Sequence, residues 1–304
     1  MVETPVLFIT FVRPEYARQS WDAIKAAKPK KLYFYSNKGR AEQEDEVERN
    51  NEIRAYINEI DWDCNLHTFF RDECVDIYTS LWGAMDWLFD NEEQGIVLEE
   101  DCVASLDFFK YCDNMLRLYK DNKDVAIISG NNRTPQYNPK DVDCFLSKYV
   151  GIYGWATWSD RWHRLDKEMK FWPQTRSKMI SYFGFFPGAW YLFWWQRMYK
   201  KLRSFNPWDS IYAYNNVRFN SFALVPVCNL VEDIGRYGVH HEIVEESDSK
   251  NMTTKIGDSG SIYESPIKHT LSVFPKYERG HFSAIFNRDF SYIFKKMRTM
   301  IKIH

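Results

Sequence analysis

The chain lacks every cysteine or histidine spacing that marks a zinc site: there is no C-x-x-C pair and no H-x-x-x-H pair. Its six cysteines, Cys64, Cys74, Cys102, Cys112, Cys144 and Cys228, are scattered, and they read as reduced thiols of a cytosolic protein. A membrane-crossing run is missing too. The longest uncharged stretch, residues 179–196, holds Gly184, Pro187 and Gly188, which would break a spanning helix near its middle. The opening MVETPVLFIT places an acid where a signal peptide needs positive charge, so secretion by the standard route is not expected. No basic excess exists: 40 Lys and Arg stand against 42 Asp and Glu, a net charge of −2, which argues against nucleic acid as a partner. Glycine is sparse, with 13 residues, and Phe11-Val12-Arg13-Pro14 after the first apolar run supplies no glycine-rich phosphate cradle of the nucleotidyltransferase kind.

Aromatic residues are what the chain has in excess: 22 Phe, 19 Tyr and 12 Trp among 304 residues. Such side chains fill cores, stack on sugar rings or sit at membrane interfaces, and composition leaves all three open. The length suits one large domain or two modest ones.

Residues 6–12 read as a buried strand, followed by a helix over Pro14–Ala27, a strand over 31–35 and a charged helix over 41–60. A strand at Asn65–Phe70, a helix over 75–89 and a fully apolar strand over 95–98 continue the alternation. A helix over 106–119 and a strand at Val125–Ser129 complete it. This order predicts an α/β fold whose mostly parallel sheet is covered by helices on both faces and binds ligands beyond the carboxyl ends of its strands. After Asn131 the pattern loosens and tryptophan becomes frequent, with an aromatic helical region over 179–202 and a strand over 222–227. The expected division is a nucleotide-sugar-binding half (1–130), an acceptor and catalytic half (131–242) and a C-terminal extension (243–304).

Three constellations could carry chemistry. Glu99-Glu100-Asp101 follows the 95–98 strand directly; three adjacent acids repel one another unless a cation or hydrogen bonds offset them, and hard oxygen donors suit Mg2+ or Mn2+. Gly154-Trp155-Ala156-Thr157-Trp158 sets small residues between indole rings, as either a wall for a sugar or core packing. Asn206-Pro207-Trp208-Asp209 puts an acid at the start of a helical stretch over 210–217, where it could cap the helix or act as a general base. Two groups are weaker. Arg13 could meet a nucleotide, and the glycine-flanked Arg236, His240 and His241 could close over phosphates.

Taken in order, FITFVRPEYARQSWDAI, VLEEDCVASLDFFKYCDNML, AIISGNN, YGWATWSDRW, NPWDSIY and NLVEDIGRYGVHH resemble bacterial sugar transferases of the GT-A type often labelled hemolytic-protein-like (HlpA-like). A more distant similarity is to the Golgi N-acetylglucosaminyltransferase that initiates complex N-glycans. The resemblance spans roughly residues 5–242. It implies a GT-A fold and inverting, Mn2+- or Mg2+-dependent transfer of a sugar from a nucleotide diphosphate donor to a glycan or lipid-linked glycan, in surface polysaccharide synthesis. By position, Asp101 would bind the metal, Glu99 and Glu100 would place ribose and donor sugar, and Asp209 would be the base. Thr10, Phe11, Arg13, Ser36 and Asn37 would line the nucleotide; Gly154, Trp155, Trp158 and Trp208 would meet acceptor or donor sugar; Arg236, His240 and His241 would close on the diphosphate. Ser36-Asn37 departs from the aspartate with which the Golgi relative holds uracil, so uridine is expected from family habit alone.

A different class of function, an inactive sugar-binding or assembly protein on the same fold, would have been favoured by loss of the acidic triplet or Asp209; both are present. Finally, Phe290, Ile293, Phe294, Met297 and Ile301 fall at helical spacing among Lys295, Lys296, Arg298 and Lys302. That pattern suits either an interfacial amphipathic helix or one docked on the protein, so peripheral contact with the inner membrane face through residues 286–304 is an expectation.

Overall fold

The computed structural model describes residues 1–202, 207–235, 255–259 and 267–287. Arg236, His240, His241 and the tail segment beyond residue 287 lie outside the described residues.

Strand β1 (Val6–Thr10) leads into α1 (Pro14–Ala27), β2 (Lys31–Ser36), α2 (Glu44–Arg54) and β3 (Asn65–Phe70). Then follow α3 (Ile77–Asn91), β4 (Gln94–Glu99), the short β5 (Cys102–Ala104), α4 (Leu106–Leu118) and β6 (Val125–Ser129). The second half contains β7 (Cys144–Ser147), β8 (Trp155–Trp158), α5 (Ser159–His163), α6 (Trp172–Thr175), α7 (Met179–Phe183) and α8 (Phe185–Lys201). It ends with α9 (Trp208–Phe219), β9 (Phe222–Pro226), β10 (Val231–Asp233), β11 (His269–Val273) and a helical stretch over 275–287.

Among the described residues a nine-stranded sheet has the order β11-β7-β9-β6-β8-β4-β1-β2-β3. Strands β4, β1, β2 and β3 run parallel, as the alternating first half predicts. Strand β8 inserts antiparallel between β4 and β6, so its amino end, at Trp155, lies beside the carboxyl ends of its neighbours. The fold is thus mixed α/β, with a large, mostly parallel sheet flanked by helices.

Alternation along each strand divides the core. Val6 and Phe8 face α1, α2 and α4, while Leu7 and Ile9 face α3 and the helices of the second half. Helix α1 begins where Pro14 needs no amide partner and ends at Lys28, in the left-handed region with φ 49°. The charged segment expected over 41–60 becomes helical only at Glu44 and tightens into a 3-10 turn over Ala55–Glu59. Strand β11 joins the sheet edge beside β7. The aromatic segment splits at Gly184, whose φ of +91° ends α7. Pro187 then sits in the first turn of α8, where its missing N–H costs nothing. Gly188 lets α8 approach the backbone of Met179 and Ile180, which a Cβ would strike at 2.7–2.8 Å. Among the described residues no helix is long and apolar enough to cross a membrane, and all six cysteines are free.

Candidate functional site

The carboxyl ends of β1 and β4 meet at an arginine and three acids. Glu100, 4% exposed, accepts the Phe11 N–H at 2.6 Å through Oε2 and the Arg13 Nε–H at 2.6 Å through Oε1. Arg13 also donates from Nη2 to Asp101 Oδ2 at 2.8 Å. Its own backbone carbonyl receives the first amides of α1, from Tyr16 and Ala17, so the helix start fixes where the guanidinium emerges. Ser20 of α1 donates to the Glu100 carbonyl at 2.9 Å, which braces the turn from beneath. Burial raises the Glu100 carboxyl above its ordinary range, and the Arg13 charge and hydrogen bond oppose that rise without cancelling it. The two acids in turn hold the Arg13 guanidinium protonated against its burial.

Among the described residues, Glu99 has no such cation in contact. Burial first, then Asp101, pushes its carboxyl up to about 8, Arg13 opposing and the charges of Asp209 and Asp233 adding to the rise. Four acids from three separated stretches of chain therefore share one electrostatic neighbourhood. Asp209 arrives on the first turn of α9, whose N-cap residue is Pro207; its carboxyl bonds the helix's own first amides from inside the turn rather than from the N-cap position. Burial raises its carboxyl, while the amide and hydroxyl of Ser210 favour the ionised form, as does the positive end of α9. Asp233 closes β10, which pairs antiparallel with β5 so that Asp233 lies opposite Cys102. The next residues return to the acids: the Ile234 N–H donates to the Asp101 carbonyl at 3.0 Å, and a Cβ on Gly235 would overlap Asp101 Oδ2. Glycine is required by that approach.

Other expected site residues are placed differently. The Thr10 hydroxyl donates to the Tyr35 carbonyl, and Ser36 accepts from Asn50 Nδ2 and Arg54 Nε at 3.1 Å each. Asn37 spends its side-chain amide on the backbone of Val75 and Lys38. Polar atoms expected to line a nucleotide thus brace the ends of β1 and β2. Asn50 and Arg54 complete that brace, Asn50 reaching the carbonyls of Phe11 and Asn37 and Arg54 that of Arg71. Sequence reasoning passed over both; their spacing of four on α2, which shows one helix face to the sheet, was the signal. Asp233 was also missed, although it sits two residues before Gly235.

The sugar wall expected from Trp155 and Trp158 is corrected. Both are 1% exposed, and residues three apart on a strand point to opposite faces. Trp158 belongs to the α4 side, where its indole donates to Leu116 and lies 4.0 Å from the Arg161 guanidinium. Trp155 points to the other face and stacks on Trp208 at 5.1 Å, 28° from parallel. Its indole N–H is buried without a hydrogen-bond partner among the described residues. Gly154, with φ of +65°, packs against Val231 and Leu98, so its missing side chain serves close packing beside the acids.

Among the described residues no three histidine, cysteine or carboxylate groups converge into a metal cage. What the strand end offers a cation is accumulated negative charge, with Asp101 at its centre.

No family model matches the sequence, and a search of curated proteins finds no match. Solved structures give resemblances of low similarity. 4-Diphosphocytidyl-2C-methyl-D-erythritol synthase from Anaerococcus prevotii aligns with a TM-score of 0.31 and 14% identity, over 52% of this chain and 72% of that one. The glycosyltransferase GlyE from Streptococcus pneumoniae aligns with a TM-score of 0.32 and 12% identity over 74% of this chain, which spans 45% of GlyE. UDP-glucose pyrophosphorylase bound to UDP-glucose aligns with a TM-score of 0.31 and 12% identity, over 53% of this chain and 77% of that one. These neighbours are glycosyl- and nucleotidyltransferase-like, at TM-scores below those at which a shared fold follows.

Proposed function

We propose that the protein is an inverting, metal-dependent glycosyltransferase that takes a sugar from a nucleotide-diphosphate donor, a UDP-sugar by resemblance, to a hydroxyl of a glycan or lipid-linked glycan. One observation carries the reading. Asp209 and Asp233, remote in sequence, share the charge environment of Glu99 and Asp101 at the carboxyl end of β4, where open α/β sheets take ligands.

Arg13 holds Glu100 and Asp101 in fixed positions, so Asp101 is pre-oriented to hold Mn2+ or Mg2+ together with donor phosphate oxygens. When bound, that ion would offset charge on the departing diphosphate. Glu99, the acid left without a cation, is placed to accept hydrogen bonds from donor hydroxyls. Asp209, raised by burial, is the stronger base for it, and takes the proton of the attacking hydroxyl while the anomeric carbon inverts. By resemblance, Arg236, His240 and His241, which lie outside the described residues, would meet the diphosphate. Peripheral attachment through residues 286–304 would bring the site to lipid-linked acceptors in surface polysaccharide synthesis.

The test is release of nucleoside diphosphate from UDP-, GDP- and dTDP-sugars with Mn2+. One donor should turn over, and Asp101→Ala should abolish turnover; activity indifferent to that substitution removes the metal assignment. A protein that binds donors without turnover is the inactive sugar-binding alternative.

A further inference from the structure

Helix α8 presents to solvent what a helix packed into a monomer normally hides. Gly188, Trp195 and Met198 are buried on one side, with Tyr191 beside them against Trp195 at 5.4 Å. The opposite stripe, at the same helical spacing, carries Phe186, Trp190, Phe193, Trp194 and Arg197, then Lys200 and Lys201 in the last turn. Phe186 is 79% exposed, Phe193 54% and Trp194 37%; Phe185, at the helix start, is 70% exposed. Trp190 extends the stripe sideways to Phe286 of the 275–287 helix, at 4.8 Å. The aromatic surface therefore spans two adjacent helices.

Charge identifies what covers it. Residues 169–208 contain seven Lys and Arg and no Asp or Glu, in a chain whose net charge is −2. A second copy would bring the same acid-free stretch of chain, with no carboxylate in residues 169–208 to neutralise Arg197 and Lys200. An anionic headgroup layer neutralises them while aromatic rings enter the acyl boundary, the division of labour of interfacial helices. The Arg197 guanidinium already lies 5.4 Å from the Phe193 ring, so cation and ring occupy the same level. We infer that the α8 stripe is a docking face for an anionic lipid bilayer, with Phe186, Phe193 and Trp194 inserting and Arg197, Lys200 and Lys201 meeting the headgroups. This face draws on no residue beyond 287 and is independent of the donor chemistry.

Flotation of the full chain with vesicles of phosphatidylcholine, alone or mixed with phosphatidylglycerol, tests it. The native chain should float with the mixed vesicles and much less with phosphatidylcholine alone. The triple variant Phe186→Ser, Phe193→Ser, Trp194→Ser, its fold checked by an unchanged melting temperature, should lose about tenfold or more of its partitioning. Lys200→Gln should lose about fivefold at low salt. A third variant, Ile293→Ser, Phe294→Ser, Met297→Ser, separates this face from the tail and should retain substantial flotation. The inference is overturned if the native chain stays unbound, if the α8 triple variant floats like the native chain, or if only the tail variant fails to float. It is equally overturned if the stripe proves to mediate a concentration-dependent dimer, dissolved by the triple substitution, with no vesicle binding.

Discussion

Glu100 and Glu278 are both buried carboxylates, 4% and 9% exposed, but among the described residues only Glu100 has a cation in contact. Glu100 takes a charge-assisted bond from Arg13 and an amide from Phe11. Glu278, on the 275–287 helix, takes the Ser147 hydroxyl at 2.8 Å and the Lys148 amide at 3.3–3.4 Å. Burial pushes Glu278 up to about 7, and these donors with the more distant Lys148 charge offset only part of the rise. Burial raises both carboxyls, and what separates them is the neighbour that opposes the rise: a guanidinium at Glu100, hydroxyl and amide donors at Glu278. Asp209 resembles Glu278, raised by burial and opposed by its own amide and by the amide and hydroxyl of Ser210. On the proposed reading, the acids bound by Arg13 position and Asp209 exchanges a proton.

The comparison can be broken first at Asp209. Asp209→Asn should keep donor affinity while turnover falls about 10²–10⁴-fold, read from nucleoside diphosphate release beside calorimetric binding; full turnover would move Asp209 into the merely structural group. Arg13→Ala should strand Glu100 as an unpaired buried charge and lower the unfolding free energy by about 3–5 kcal/mol in denaturant titrations. Restoring part of that loss with Glu100→Gln in the same chain would confirm the cause, and a loss below about 1 kcal/mol would reduce the pair to an ordinary surface bridge.

Glu278 gives the opposite pH signature from a clamped acid. Burial holds its folded-state carboxyl above the ordinary value of 4.5, so the folded protein binds the extra proton. The associated stability is present at low pH and is lost as pH rises from about 4.5 to about 7, by about 3 kcal/mol in all. Glu278→Gln should flatten that slope in melts across the same interval. The smallest effect is expected at Trp158. Trp158→Phe removes the indole bond to Leu116 from a core position and should cost about 1–2 kcal/mol without changing turnover; a selective rise in KM would return Trp158 to the sugar site.

The parallel half was legible because its signals are local. Pro14 with the apolar spacing of Trp21 and Ile24 gave α1 its bounds, and the run ending at Leu98 put Glu99, Glu100 and Asp101 at a strand's carboxyl end. The acidic triplet was legible as a cluster, but not its partition. Which acid Arg13 clamps and which it leaves depends on the helix start and the β1–β4 register, both tertiary facts. Tryptophans were harder. The motif around Trp155 and Trp158 became readable only once β8 was known to be a strand, when a spacing of three set the rings on opposite faces. The bracing of Ser36 and Asn37 was hidden for a similar reason: Asn50 and Arg54 on α2 reach the Ser36 hydroxyl and the Asn37 carbonyl, and sequence distance hides that meeting.

Titration calorimetry of UDP into the native protein and Asp101→Ala, each with and without Mn2+, tests the central claim most directly. The account predicts binding that requires the metal in the native protein and is lost in the variant, with both proteins melting alike. Metal-independent binding, equal binding by the variant, or no binding of UDP, GDP or dTDP to the native protein would contradict it.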